Sequence, residues 1–473
     1  MTFNKTFAPL TIAIGCVLGS TTAMAAKPAD PYLSNSEFQQ CLDRLKGTSD
    51  FRGVDSFTFN NYRPSQPDPS VISSLNYQPE FQKDVWDYLA SLVDKERVED
   101  GIRAKRQWGD TLRQIEARYG VKPEHVLGVW GVESNFGQTL GKKPLFDSLA
   151  TLSCFDRRQS YFRGEFANAL KIVQQGDIAP NDMNGSWAGA FGQTQFMPST
   201  FLELAVDFDG DGRRDLVNSV PDALASTANF LSKRGYRSGE PWGYEVKKPS
   251  GFWAASNRKD KKSMSYWRGK GFTLANGSPL PYDLDQAALI MPAGEQGPAF
   301  LVGKNFDTFY SYNASENYAL AIAHLSDLIA RGDSSKTDFI TAWPTDDPGI
   351  SRLQSREIQQ ALLNAGYDIG EVDGMIGDNT RAAIVKYQTS KGVYPADGHA
   401  GQKFYNLIMQ GGHGSSAQSP LYAPKRSSVW QPSTNPSVSS SDNMGKLIES
   451  KQGYRRIVNA DGSIRLVRVD AGE

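Results

Sequence analysis

Glu133 ends a run almost free of charge, Val126-Leu127-Gly128-Val129-Trp130-Gly131-Val132, and is followed by Ser134-Asn135-Phe136-Gly137. A carboxylate sharing low-dielectric surroundings with Trp130 and Val132 is pushed toward its protonated form, which a general acid near neutral pH requires. Glycoside cleavage usually pairs such an acid with a second carboxylate, and no other carboxylate stands in a comparable apolar motif. The segment Ser186-Trp187-Ala188-Gly189-Ala190-Phe191-Gly192-Gln193-Thr194-Gln195-Phe196-Met197-Pro198-Ser199 stands out instead. It brings uncharged hydrogen-bonding groups close to aromatic surface, as a polysaccharide cleft needs for hydroxyl and acetamido groups. A third cluster is Asp207-Phe208-Asp209-Gly210-Asp211-Gly212-Arg213. Carboxylates at loop positions one, three and five with glycine at six match the start of an EF-hand calcium loop, where Arg213 would lend its backbone carbonyl. Position twelve is Asn218 rather than Glu, so an Asp-Gly turn with solvated carboxylates stands beside the calcium reading.

The elements that must position these groups are legible from periodicity and punctuation. Helical spacing runs from 76 to 119, with Phe81, Val85, Leu89 and Leu92 on one face. The helix bearing Glu133 is expected to start near Pro123 and stop at Gly137. Further helices are expected at 163–175, 221–235 and 316–331, and strands at 288–291 and 299–302. After Trp343-Pro344-Thr345-Asp346-Asp347-Pro348, Ile358, Leu362 and Leu363 form one apolar helical face and Ala382, Ile384, Val385 and Tyr387 belong to another. This is a small helical module spanning 350–409. Residues 411–443 read as a Ser/Pro-rich flexible linker, and 444–473 as a tail with a hairpin pattern around Asp461-Gly462.

Composition bounds the function. The chain has 473 residues, enough for two or three folded units, and its 51 basic and 52 acidic residues argue against a nucleic-acid partner recognised by charge. Residues 1–25 read as a secretory signal, with an A-x-A site, Ala23-Met24-Ala25, predicting cleavage before Ala26. The apolar stretch is too short to span a bilayer after export. The rival reading is lipidation at Cys16. The remaining cysteines, Cys41 and Cys154, fit either one disulfide in an exported chain or two buried thiols.

Three motifs in order carry a resemblance: Glu133-Ser134-Asn135-Phe136-Gly137, Gly189-Ala190-Phe191-Gly192-x-x-Gln195-Phe196-Met197-Pro198-Ser199, and Tyr312-Asn313 with Tyr318. Over residues 31–342 the chain resembles the lytic murein transglycosylase B family, with Phe136 where the family often has Tyr. The resemblance implies a mainly α (α+β) protein: a lysozyme-like helical catalytic domain with a small β-containing insertion. It also implies cleavage of the MurNAc-β-1,4-GlcNAc bond of peptidoglycan without added water, and no cofactor for the chemistry. Glu133 would be the single acid/base, protonating the leaving oxygen and then taking the proton of the MurNAc C6 hydroxyl as a 1,6-anhydro ring closes. The substrate's own acetamido oxygen and hydroxyl would replace the missing carboxylate. By the same match Ser186 and Gln195 would bond near Glu133 and the acetamido group, and Tyr312, Asn313 and Tyr318 would orient MurNAc. Loop caps (Ser186, Gln195) and a plain core aromatic (Tyr318) are their structural readings. The final ligand of a structural calcium, joining Asp207, Asp209, Asp211 and Arg213, would be Asp222.

The 350–409 module resembles the peptidoglycan-binding type 1 domain, a three-helix fold, through Ile358-Gln359-x-x-Leu362, Gly366-Tyr367 and Asp373-Gly374-x-x-Gly377-x-x-Thr380. It implies wall anchoring, which raises effective substrate concentration. Peptidoglycan strands are the expected partner and the periplasm the expected location, with cell-wall synthesis or division proteins as further candidate partners. A hydrolytic muramidase and a non-catalytic wall-binding scaffold are the competing functions.

Overall fold

The helix that carries Glu133, Pro123–Ser134, is buried on nearly every side. Pro123 occupies its first turn, and Lys122 before it is extended, as a residue preceding proline must be. Val126, Leu127, Val129 and Trp130 are all core residues, which explains the charge-free run: a helix surrounded by protein has no polar face to keep. Two glycines let a second helix, Glu316–Arg331, press against it. A Cβ on Gly128 would lie 2.2 Å from Ser326 Oγ and 2.9 Å from the Ile322 carbonyl, so only glycine fits. The helix ends at Ser134, before the expected Gly137, because Asn135 turns into the left-handed region at φ 49°.

The computed structural model describes residues 34–74, 83–155 and 158–411, together with the backbone of 454–458 and 464–468. The signal segment 1–25, Cys16, Phe81 and residues 412–443 of the expected linker lie outside these. Gly411, expected to open that linker, closes the last helix of the small module.

Around the Glu133 helix the periodic stretch before 119 is divided into three helices, Val85–Leu92, Lys95–Gln107 and Gly109–Tyr119. Asp94 makes the first break: it caps the second helix by accepting the Arg97 N–H at 2.8 Å. The later helices are Gln159–Gln175, four residues longer at its start than expected, Val220–Lys233, and Glu316–Arg331 at its expected bounds. Cys41, on the helix Asn35–Lys46, is disulfide-bonded to Cys154, on Leu145–Phe155, with Cα atoms 6.1 Å apart across 113 residues of chain. The bond staples the N-terminal helix to the core.

The strands are β1 (Lys143–Pro144), β2 (Asn184–Gly185), β3 (Gly243–Lys247), β4 (Lys262–Ser263), β5 (Thr273–Leu274), β6 (Gln286–Ile290), β7 (Ala299–Val302), β8 (Tyr454–Val458) and β9 (Ile464–Arg468). β3 to β7 form one antiparallel sheet in the order β4-β6-β7-β3-β5. Of the five strands in this sheet, β6 and β7 match strands expected from sequence. The sheet covers its own small core of Val246, Met264, Trp267, Phe272, Leu289 and Leu301, so the insertion folds around apolar contacts of its own. β8 and β9 pair as the expected hairpin, Tyr454 opposite Arg468 and Val458 opposite Ile464.

The small module consists of Arg352–Asn364, Asp378–Ser390 and Gln402–Gly411 around Ile358, Leu362, Ile384, Tyr387, Phe404 and Ile408. Buried Gln359 shapes the loop between the first two helices. Its amide donates to Asp373 Oδ1 (2.9 Å) and its carbonyl accepts from the Gly374 N–H (2.7 Å). No helix among the described residues is long and apolar enough to cross a membrane.

Candidate active site

Glu133 is half-buried on the last turn of its helix. The Tyr318 hydroxyl donates to its Oε1. Tyr318 is only 3% exposed, and burial first, then the charge of Glu133, raises its phenol well above the ordinary range. It therefore stays protonated as a fixed donor. Its buried ring and its contact with Glu133 are compatible: the body fills core and the hydroxyl reaches the site. Ser315 places it by accepting the Tyr318 N–H at the start of the helix Glu316–Arg331.

Tyr312 extends this array. Its ring lies nearly parallel to that of Tyr318, centroids 6.3 Å apart, and 4.5 Å from that of Phe230. Its hydroxyl donates to the Thr194 carbonyl at 2.9 Å, which ties the glycine-broken segment to the Glu133 side of the site. Asn313, next along the helix Lys304–Asn313, is exposed. That helix is anchored by Asn305, fully buried, whose amide accepts from the Arg237 N–H and donates to the carbonyls of Arg237 and Glu240.

Ser186 and Gln195 organise their own loop. Ser186 Oγ accepts the Ala190 N–H at 3.0 Å, and Gln195 Nε2 donates to the Gly192 carbonyl (2.8 Å) and the Leu140 carbonyl (3.3 Å). Gln195 itself sits at φ 49°. Both side chains thus take part in the bonds that shape this loop. Phe191 and Phe196 of the same segment are buried in the core.

Sequence reasoning missed Gln193. It is 5% exposed and binds three elements together. Its Oε1 accepts from Trp130 Nε1 (3.1 Å), its Nε2 donates to the Val217 carbonyl (3.0 Å), and its own carbonyl accepts from Ser134 Oγ (2.7 Å). The glutamine pair Gln193 and Gln195 lay in plain view, but nothing in their spacing distinguishes the inward one. A second carboxylate was also missed: Glu165, 3% exposed, accepts from Ser199 N (2.8 Å) and Ser199 Oγ (2.6 Å). Burial raises its pKa, opposed by those two bonds, and its work is to hold the start of the helix Pro198–Leu204.

Phe136 points away from solvent chemistry. Its ring stands edge-on to Trp130, centroids 5.5 Å apart, and its Cζ would be 2.7 Å from a Cβ placed on Gly131. A hydroxyl at that ring position would enter the packing between helices.

In the acidic loop, carboxylate oxygens of Asp207, Asp209 and Asp211 lie within 4.8 Å of one another. Three converging carboxylates are a suitable donor set for a hard divalent cation. Arg213 turns its guanidinium onto Asp211 (3.0 Å) and holds that carboxyl below its usual range. Asp222 is not gathered with the three. Its oxygens accept the N–H groups of Phe208 (2.7 Å), Asp209 (3.3 Å) and Asp215 (2.8 Å), so it closes the loop from beneath.

Residues 37–327 match the family model described as transglycosylase SLT domain, and 351–408 match a peptidoglycan binding domain model. Membrane-bound lytic murein transglycosylase B of Escherichia coli (strain K12) is 35% identical over 250 residues, 51% of this chain and 66% of that protein. The fold is similar to that of SltB3 from Pseudomonas aeruginosa, solved in complex with NAG-anhNAM-pentapeptide: TM-score 0.62, 42% identity, 79% of this chain and 99% of that one. It is also similar to the Escherichia coli lytic transglycosylase Slt35, solved in complex with calcium, at TM-score 0.53 and 32% identity over 62% of this chain and 93% of that one. The chain belongs to the transglycosylase SLT domain family, enzymes that cleave peptidoglycan.

Proposed function

We propose that this enzyme cleaves the MurNAc-β-1,4-GlcNAc bond without water, with Glu133 as its single acid/base, leaving 1,6-anhydroMurNAc ends. The observation that carries the reading is the half-buried Glu133 held by a buried tyrosine hydroxyl. Glu133 gives its proton to the departing GlcNAc O4 as the C1–O4 bond breaks, with the MurNAc acetamido oxygen supporting C1. The C6 hydroxyl oxygen then bonds to C1 and returns its proton to Glu133, so the enzyme ends as it began. Tyr318 holds the carboxyl group through both steps, and Tyr312 carries the loop 186–199 toward the same place. The similarity to a relative solved in complex with NAG-anhNAM-pentapeptide supports this course.

The test is Glu133→Gln in the full chain. The variant folds with an unchanged unfolding midpoint and releases no soluble fragments from sacculi; retained release overturns the assignment. The small module anchors the enzyme to the wall, and export to the periplasm brings it to its substrate, with cleavage before Ala26 or lipidation at Cys16 as the two routes. Asp207, Asp209 and Asp211 would hold a structural calcium, with the Arg213 carbonyl and Asp222 completing the set after local rearrangement.

A further inference from the structure

Directly after Glu133-Ser134, two consecutive residues with side chains occupy the left-handed region, Asn135 at φ 49° and Phe136 at φ 58°. Left-handed backbone is unfavourable for a residue with a side chain, most of all for a bulky one such as Phe136, so the turn persists only where its surroundings over-determine it. Phe136 is held by its packing against Trp130 and the two glycines Gly101 and Gly131. Asn135 is held by charge-assisted hydrogen bonds: its Oδ1 accepts from Arg97 Nε at 3.2 Å and from Arg352 Nη1 at 2.7 Å.

Arg352 does not belong to the catalytic domain. It is the first residue of the first helix of the wall-binding module, 217 residues along the chain from Asn135. Its other donors converge on Asp94, from Nε (2.8 Å), Nη2 (3.0 Å) and its backbone N (3.1 Å). The Asp94 side chain is 3% exposed and that of Arg352 15%. The same Asp94 caps the helix Lys95–Gln107 through Arg97, the second residue that grips Asn135. Two guanidinium groups, one carboxylate and one amide thus form a closed cluster, and the module supplies the shorter of the two bonds to the turn behind Glu133.

We propose that Arg352 is a positioning residue for the cleavage reaction: the docked wall-binding module clamps Asn135 and so fixes the turn that sets the direction of Glu133. The module then has a second task besides anchoring, and the enzyme works at full rate only with the module seated. This inference rests on the reading of Glu133 as the acid/base.

The experiment uses the full chain and a soluble GlcNAc–MurNAc-pentapeptide tetrasaccharide, on which wall anchoring has no influence. Arg352→Gln is expected to lower kcat about tenfold while KM stays within about twofold. Asn135→Gly, which accepts the left-handed backbone but removes the acceptor, is expected to lower kcat similarly. The double variant is expected to lose no more than either single one, because both remove the same bond. Unchanged kcat in Arg352→Gln, or losses that multiply in the double variant, overturns the inference. Should Arg352→Gln fail to fold, an unchanged kcat in Asn135→Gly overturns it equally. If Glu133→Gln cleaves this substrate as fast as the wild type, it is the reading of Glu133 that fails; an inactive Glu133→Gln beside an undiminished Arg352→Gln sinks only the role of Arg352.

Discussion

Tyr318 and Glu133 illustrate how a core residue serves a reactive one. Tyr318 is buried and its raised pKa keeps the phenol protonated, so it retains a proton to donate, and the carboxyl of Glu133 is what it donates to. Tyr318→Phe keeps the ring and deletes the donor. The expected outcome is a kcat lowered about tenfold with KM little changed. The loss in unfolding free energy should stay near about 1 kcal/mol, since the freed carboxyl remains accessible to water; steady-state kinetics beside chemical denaturation checks both. At this scale the sequence was informative about residue types and poor about direction. Glu133, Tyr312 and Tyr318 stand in one connected array, whereas Ser186 and Gln195 turn to their own loop and Gln193 does the linking. For Tyr318, Tyr312 and Gln193 orientation depends on a partner distant in sequence, whereas Ser186 and Gln195 are engaged by residues three or four positions away.

Elements with strong local signals were readable. The helix Glu316–Arg331 appears at its expected bounds because Ser315 caps its start and Gly332, at φ 73°, ends it. The sheet was half-read: β6 and β7 are apolar and buried, but β4 and β5 have two residues each and leave no periodic trace. The acidic loop is the element whose role is most open to direct measurement. Its three carboxylates converge, yet Arg213 already pairs with Asp211, and Asp222 is committed to backbone N–H groups. Calcium added to chelator-treated protein is expected to raise the unfolding midpoint, and Asp209→Ala to abolish that rise. A midpoint indifferent to calcium would assign the loop to an Asp-Gly turn stabilised by its own hydrogen bonds.

For the whole molecule, the seam between the catalytic domain and the wall-binding module contains a partly buried carboxylate as well as the Arg352 cluster. Asp87, on the helix Val85–Leu92, lies 3.7 Å from His399 of the module, and Asp347 lies 3.6 Å from the other ring nitrogen. One Asp87 oxygen is buried without a hydrogen-bond partner among the described residues. Burial raises its pKa from 3.8 to about 6, with His399 and Lys83 opposing and Asp84 and Asp347 adding to the rise. A carboxyl whose folded pKa is raised costs nothing below its unfolded value and costs progressively more stability as pH climbs through the folded one. Asp87→Asn should therefore raise the unfolding midpoint by about 2–4 °C above pH 7, and the gain should vanish near pH 4; a gain equal at both pH values would contradict the burial of this charge. None of this seam was legible from sequence, because its partners are separated by hundreds of residues and meet only in the fold. Mass analysis of the soluble fragments that the full chain releases from purified sacculi reports how the molecule breaks the glycan bond. Muropeptides ending in 1,6-anhydroMurNAc are the expected result; fragments heavier by one water, with reducing MurNAc ends, would contradict cleavage without water.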